Sequence, residues 1–178
     1  MTIATKPARM MFVNLATGIE LVAQFNPTEV EELLTVNWAE LATPGSSHGV
    51  HQYSNTDSLQ FTFTLRFASD DGSGQNKIED VRRARRFFHS LGYARRGGQD
   101  VVGGSPSRFL FVWPSMASLT CAMHSASIKH RKSNINGEST ILDVELTIKE
   151  ARDVRIFAED VATGGTFRSD YQDPELGY

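Results

Sequence analysis

Cysteine is almost absent from this sequence: Cys121 is the single one in 178 residues. A lone thiol excludes an intramolecular disulfide and a cysteine-cluster zinc site, and it suits a reducing compartment. Long apolar runs are missing too. No stretch approaches the length of a membrane span, and the N-terminal MTIATKPARMMFVN lacks the basic-then-apolar order of a secretory signal. Synthesis in the cytosol is expected, compatible with later assembly into a larger particle. Nor is there an excess of basic charge. With 18 Lys and Arg against 21 Asp and Glu, the formal net charge is −3. The chain as a whole therefore carries no electrostatic footprint for nucleic acid.

What is present is enough apolar residue to fold. Hydrophobic residues make up 40% of the chain and charged ones 22%, near the globular average, and the length suits one domain. The patterned part runs over residues 1–150, and 151–178 reads as a C-terminal extension of short polar segments without periodicity. The clearest pattern is LQFTFTLRF. Leu59, Phe61, Phe63, Leu65 and Phe67 alternate with Gln60, Thr62, Thr64 and Arg66, a period of two that predicts a long amphipathic strand.

The same alternation returns in STILDVELTIKE, after ASLTCAMHSASIKHRKS and an Asn136-Gly137 turn, and predicts an extended hairpin. A shorter hairpin is expected over residues 9–25, stopped by Asn26 and Pro27. VEELLTVNW fits either helix or strand by pattern, with Thr35, Val36 and Trp38 favouring strand in its second half. One helix is predicted from Asn76 as N-cap, with Ile78, Val81, Ala84, Phe88 and Leu91 at helical spacing and Gly92 as its left-handed terminator. The architecture expected from these patterns is mainly β with one packed α-helix.

Motifs with chemical potential are few. Gly45, Ser46, Ser47, His48 and Gly49 spell G-x-S-x-G, yet Pro44 precedes them and VHQYSNTD follows with no helical pattern. A nucleophile elbow needs a strand before its serine and a helix after it, so a Pro-Gly turn is expected instead. His48 and His51, with His124 and His130 far away in sequence, make no zinc ligand pattern on a loop or strand. The arginines Arg82, Arg83, Arg85 and Arg86 form the one dense basic cluster of the helix, with Arg95 and Arg96 after it. Glu79 four residues before Arg83 suggests a solvated, ion-paired face or a docking surface for an acidic partner. No catalytic residue, metal or cofactor is expected.

Phe25-Asn26-Pro27-Thr28-Glu29, then Trp38, Ala39 and Glu40 with Pro44 and Gly45 beyond, then the strand Leu59 to Phe67, resembles the tube-protein family of contractile injection systems. That family includes the baseplate protein that links spike hub to inner tube in phage-tail-like particles. The likeness runs over roughly residues 10 to 150, including the final Leu142 to Glu150 strand. It implies a tail-tube-like β-sandwich or partial barrel, with six copies forming a hexameric ring whose inner wall is a continuous β-barrel. It further implies a structural role and not an enzyme, with the hub protein below, inner tube protein above, and sheath or baseplate wedge proteins as further partners. Some relatives carry a peptidoglycan-binding LysM module after this domain, and none is expected before Tyr178.

On that resemblance Thr62, Thr64, Arg66, Asp143, Glu145, Thr147 and Lys149 would face the lumen. Arg82, Arg83, Arg86, Phe25, Asn26, Pro27 and Trp38 would serve subunit or partner docking. Exposed strand edges in a small protein favour closure by neighbours on physical grounds as well. The alternatives are the inner tube protein itself, a monomeric β-rich ligand-binding module whose polar face meets solvent, or a small hydrolase using Ser47 with His48 or His51.

Overall fold

A computed structural model of the chain describes residues 8–41, 44–45, 48–70, 77–94, 104–114 and 116–151. Nine strands and one helix lie in these residues: β1 Met11–Asn14, β2 Glu20–Val22, β3 Val30–Leu33, β4 Val36–Leu41, β5 Val50–Thr56, β6 Gln60–Ala68, α1 Ile78–Gly92, β7 Phe109–Trp113, β8 Ala117–Ser133 and β9 Ser139–Glu150. Seven strands form one antiparallel sheet in the order β2-β1-β7-β8-β9-β6-β3, and β4 pairs only with β5. The extension beyond Ala151, Ser46, Ser47, Arg95 and Arg96 lie outside the described residues.

The alternation in β6 and β9 does what the sequence predicts. Phe61, Phe63, Leu65 and Phe67 pair in register with Ile148, Leu146, Val144 and Leu142, all buried. Because the period of both strands is two, the intervening Thr62, Thr64 and Arg66 meet Thr147, Glu145 and Asp143 on the opposite face. The apolar face curls around a core of aromatic rings. Phe12 of β1 touches Phe63 across the sheet as well as Phe88, Phe109 and Phe111, and Phe63 stacks on Phe111 at 5.6 Å. Strands β1 and β7 are thus folded over to face β6, giving a half-barrel.

Helix α1 covers the open side of this core and packs on β9, β6 and β8. Its buried residues are Val81, Ala84, Phe87, Phe88 and Leu91, the spacing of one helical face. Glu79 and Asp80 in the first turn favour the helix N-terminus electrostatically. Both expected helix ends are corrected. The helix starts after Lys77 with no side-chain cap, and Asn76 lies outside the described residues. Gly92 is the last helical residue and not a left-handed terminator, since Tyr93 leads directly into extended backbone. A Cβ there would lie 3.2 Å from Met123 Cε on β8, a close contact with the end of a flexible side chain.

VEELLTVNW resolves into two strands, β3 and β4, which belong to different sheets. The turns follow sequence expectation where glycine is required: Gly18 and Gly137 have φ of +69° and +77°. Gly45, in the turn with Pro44, has φ of +88°, in keeping with the Pro-Gly turn read from the sequence.

Candidate functional site: a polar sheet face between two open edges

Asn26 and Gln24 anchor the segment that resembles the family. The Asn26 side chain accepts from the Met10 N–H at 3.1 Å and donates to the Ala8 carbonyl at 2.8 Å, bracketing the start of β1. Gln24 donates through Nε2 to the Ala68 carbonyl at 2.9 Å and accepts from the Ala68 N–H at 2.6 Å. An amide side chain thereby takes the place of a strand neighbour at the end of β6 and ties the β2 margin of the half-barrel to it. Neither clasp has a local sequence signal, since the partners lie 44 residues apart in the second case. Pro27 is half-buried beside them and Phe25 is exposed.

The polar face of β6, β9 and β8 carries a charge network. Arg66 donates through Nε and Nη2 to the two carboxylate oxygens of Asp143 at 2.8 and 3.2 Å, and Arg131 Nε lies 2.5 Å from the same carboxylate. Lys129 pairs with Glu145 at 3.0 Å. Asp143 sits under its two arginines with its side chain 5% exposed, whereas both guanidinium groups reach solvent. Thr62, Thr147 and Lys149 are half-buried on this face, and Thr64 and Glu145 are exposed. The sequence-predicted set is therefore brought together on one surface. Arg131 and Lys129 also belong to it, and their position two apart on a strand was the signal for them.

The hydrogen bond from Arg66, reinforced by the charges of Arg66 and Arg131, holds the Asp143 carboxyl below the usual carboxylate range against the opposing effect of desolvation. A depressed folded-state pKa stabilises the fold above the unfolded value, about 3.9, and that contribution fades as pH falls through the folded value. Asp143→Asn is accordingly expected to lower the urea midpoint at neutral pH, with the gap from the parent chain closing below about pH 4. A gap that stays constant to pH 2.5 would contradict the ion-pair account.

The arginines of α1 are mostly engaged within the chain. Arg82 pairs with Glu79 and with Glu138 of the β8–β9 turn, and Arg86 pairs with Glu79. Arg83 donates to the Glu20 carbonyl at 2.8 Å and not to Glu79, which corrects the expected i,i+4 pair. Its side chain leans to the β2 side of the helix, while Arg82 leans to the β9 side. Together they fasten α1 to β2 at one margin of the sheet and to the β8–β9 turn.

Two strand edges flank the polar face. Strand β7 pairs with β8 only over Ala117 to Cys121, and among the described residues no strand covers that side of β8 from Ala122 to Ser133. At the other margin β3 covers β6 only from Gln60 to Phe63, and among the described residues no strand covers Thr64 to Phe67 or the outer side of β3. Beside the β8 edge an apolar groove of about 310 Å³ runs along α1, lined by Phe88, His89, Gly92, Tyr93, Met123, Ala126 and Ile128.

A third exposed feature is the separate β4–β5 hairpin. Trp38 is 60% exposed and meets Tyr53 edge-on at 5.7 Å, with Leu41 and Val50 also in solvent. Cys121, by contrast, is buried among the sheet strands, and burial aided by the nearby Glu150 charge pushes its thiol up to about 12. Such a thiol is inert at neutral pH.

Among solved structures, the chain is similar to one from the tail of an empty gene transfer agent particle with C6 symmetry. Identity there is 13%, 84% of this chain and 96% of that chain are covered, and the TM-score is 0.40. It is also similar to a chain of the native gene transfer agent virion, at 12% identity over 87% of this chain and 100% of that one, TM-score 0.37. A further similar chain comes from the sixfold-symmetrised anti-feeding prophage baseplate, at 10% identity over 85% and 95%, TM-score 0.34. No curated protein matches. The model of one family matches residues 9–155, most of the sequence, and its description is contractile injection system tube protein. With the family segment anchoring the half-barrel and its match running from before β1 to past β9, the chain belongs to the contractile injection system tube protein family.

Proposed function

We propose that six copies of this chain close into a ring at the junction between spike hub and inner tube and template growth of the tube. The supporting observation is the pair of strand edges, β3 and the half of β8 beyond β7, on either side of the polar face of β6 and β9. Strands β3, β6, β9 and β8 alternate in direction. An even number of antiparallel strands lets β8 of one copy lie antiparallel to β3 of the next, so the wall continues around a ring without a change of pattern. Closure covers the β3 edge and the free half of β8 together, which is the usual solution to unpaired strand margins. The polar residues Thr62, Thr64, Arg66, Asp143, Glu145, Thr147 and Lys149 then face the lumen, and the chain works by assembly and not by catalysis.

The β4–β5 hairpin supplies contact with the neighbouring component above or below. Exposed aromatic anchors of this kind dominate interface energetics. Trp38→Ala is expected to leave the unfolding free energy of the isolated chain within about 0.5 kcal/mol, yet to weaken attachment to hub or tube by about 2 kcal/mol or more. Co-sedimentation with those components reads the second effect. Equal binding by parent and variant would remove the hairpin from the interface.

Electron microscopy of particles carrying a tag on this chain decides the level of the ring. Label confined to one layer between spike and tube supports the junction role. Label along the whole tube makes the chain the inner tube protein, and strict monomers leave a β-rich binding module. Synthesis in the bacterial cytoplasm followed by incorporation into a phage-tail-like particle completes the reading.

A further inference from the structure

The two edges differ in charge. Near β3 the exposed acidic residues are Glu29, Glu31 and Glu32, while the uncovered half of β8 carries the exposed basic residues Lys129, His130, Arg131 and Lys132. We infer that β3 of one copy adds to β8 of the next in a fixed register, with Glu31 opposite Lys129 and Glu29 opposite Arg131. This inference rests on the ring reading above and specifies its joint.

The register follows from closure. Walking straight across the strands, Val30 stands level with Phe63, Leu146 and Ala126. Strands of a closed barrel tilt by about 35–45° from the axis, so four strands at their usual spacing accumulate an offset of about four to six residues at each joint. The offset must be even, because an odd one would turn the polar face of the neighbour inward. Its direction is fixed as well. Sliding β3 toward Cys121 would collide with β7, which already pairs there, whereas sliding it toward Ser133 follows the uncovered edge.

An offset of about four puts Glu31 level with Lys129 and Glu29 level with Arg131, both pairs on the polar face. An offset of about six would leave a single opposite-charge match, Glu31 with Arg131. The smaller shift also gives an exposed leucine a destination. Leu34, 58% exposed in the isolated chain, comes level with Ala126 and enters the groove beside α1. Lys129 and Arg131 keep their partners Glu145 and Asp143, so the joint extends an existing charge network across the subunit boundary.

Cross-linking tests the register. Cys121 is buried and inert, so oxidation of a Glu31→Cys, Lys129→Cys chain reports only the engineered pair. The expected result is a non-reducing gel ladder that ends at a closed ring, with at most dimers from either single variant. Rings visible by electron microscopy but without a ladder would overturn the register and leave the ring intact. No rings from the parent chain, with or without hub and tube components, would overturn both.

If the double-cysteine chain fails to fold, a charge exchange probes the same contact. Glu31→Lys is expected to raise the half-assembly concentration roughly tenfold, and adding Lys129→Glu to that chain to bring it back within roughly threefold. Failure of the second change to restore assembly of a folded chain would refute the pairing.

Discussion

Phe12→Ala is expected to destabilise the protein by about 3–5 kcal/mol, measured as the loss in urea-unfolding free energy. Phe12 is fully buried and is the one ring that touches Phe63, Phe88, Phe109 and Phe111 together. It therefore joins the two curled halves of the sheet and the helix at one point. Removing it leaves a cavity bounded by four rigid rings from β6, α1 and β7, and rings held by separate elements collapse poorly into a void. A loss of that size is a large part of the stability of a typical domain. Phe12→Leu, which keeps apolar volume, should cost clearly less. A loss below about 1 kcal/mol for alanine would mean that the halves are not joined through this ring.

Gln24→Ala is expected to cost roughly 2–4 kcal/mol, an unusually large effect for a polar residue at a sheet margin. The side chain satisfies both backbone groups of Ala68 in a part-buried setting. Without it an N–H and a carbonyl are both left unpaired, and each such group costs about 1–3 kcal/mol when water cannot reach it fully. Gln24→Met separates the causes, because it keeps the bulk and removes both bonds. Equal losses for Ala and Met in chemical unfolding assign the effect to hydrogen bonding. A Met variant as stable as the parent would instead make packing the whole of the role.

Much of the fold was legible because β6 and β9 are long and buried on one face, so their alternation survives every local exception. The Asn136-Gly137 turn and the face of α1 were legible for the same reason, a local rule with a local residue. Other features depend on distant partners. Short β3 and β4 carry too few residues to show a period, and their separation into two sheets is decided by β6 and β5. The irregular pairing between Met123 and Ser125 has no turn residue to mark it. Gly92 reads as a helix terminator, yet it is the last helical residue and the chain turns extended at Tyr93.

The candidate site divides in the same way. Period two placed Thr62, Thr64, Arg66, Asp143, Glu145, Thr147 and Lys149 on one face, and they do share it. Periodicity could not foresee that Asp143 lies covered between two arginines, since Arg131 reaches it from a strand whose register only the fold supplies. The arginines of α1 looked like a docking surface in sequence. Three of them, Arg82, Arg83 and Arg86, have partners within the chain: Glu138 and the Glu20 carbonyl for the first two, and Glu79 of the helix itself for Arg86.

Analytical ultracentrifugation of the purified chain across a concentration series reads ring closure directly, as mass in solution. Closure through β3 and β8 predicts one transition from the 19.7 kDa chain to a hexamer, with little dimer or trimer because only the closed ring leaves no β3 or β8 edge unpaired. The 19.7 kDa species alone at every concentration, with hub and tube components added as well as without them, or an open-ended series of sizes without a closed state, would contradict it.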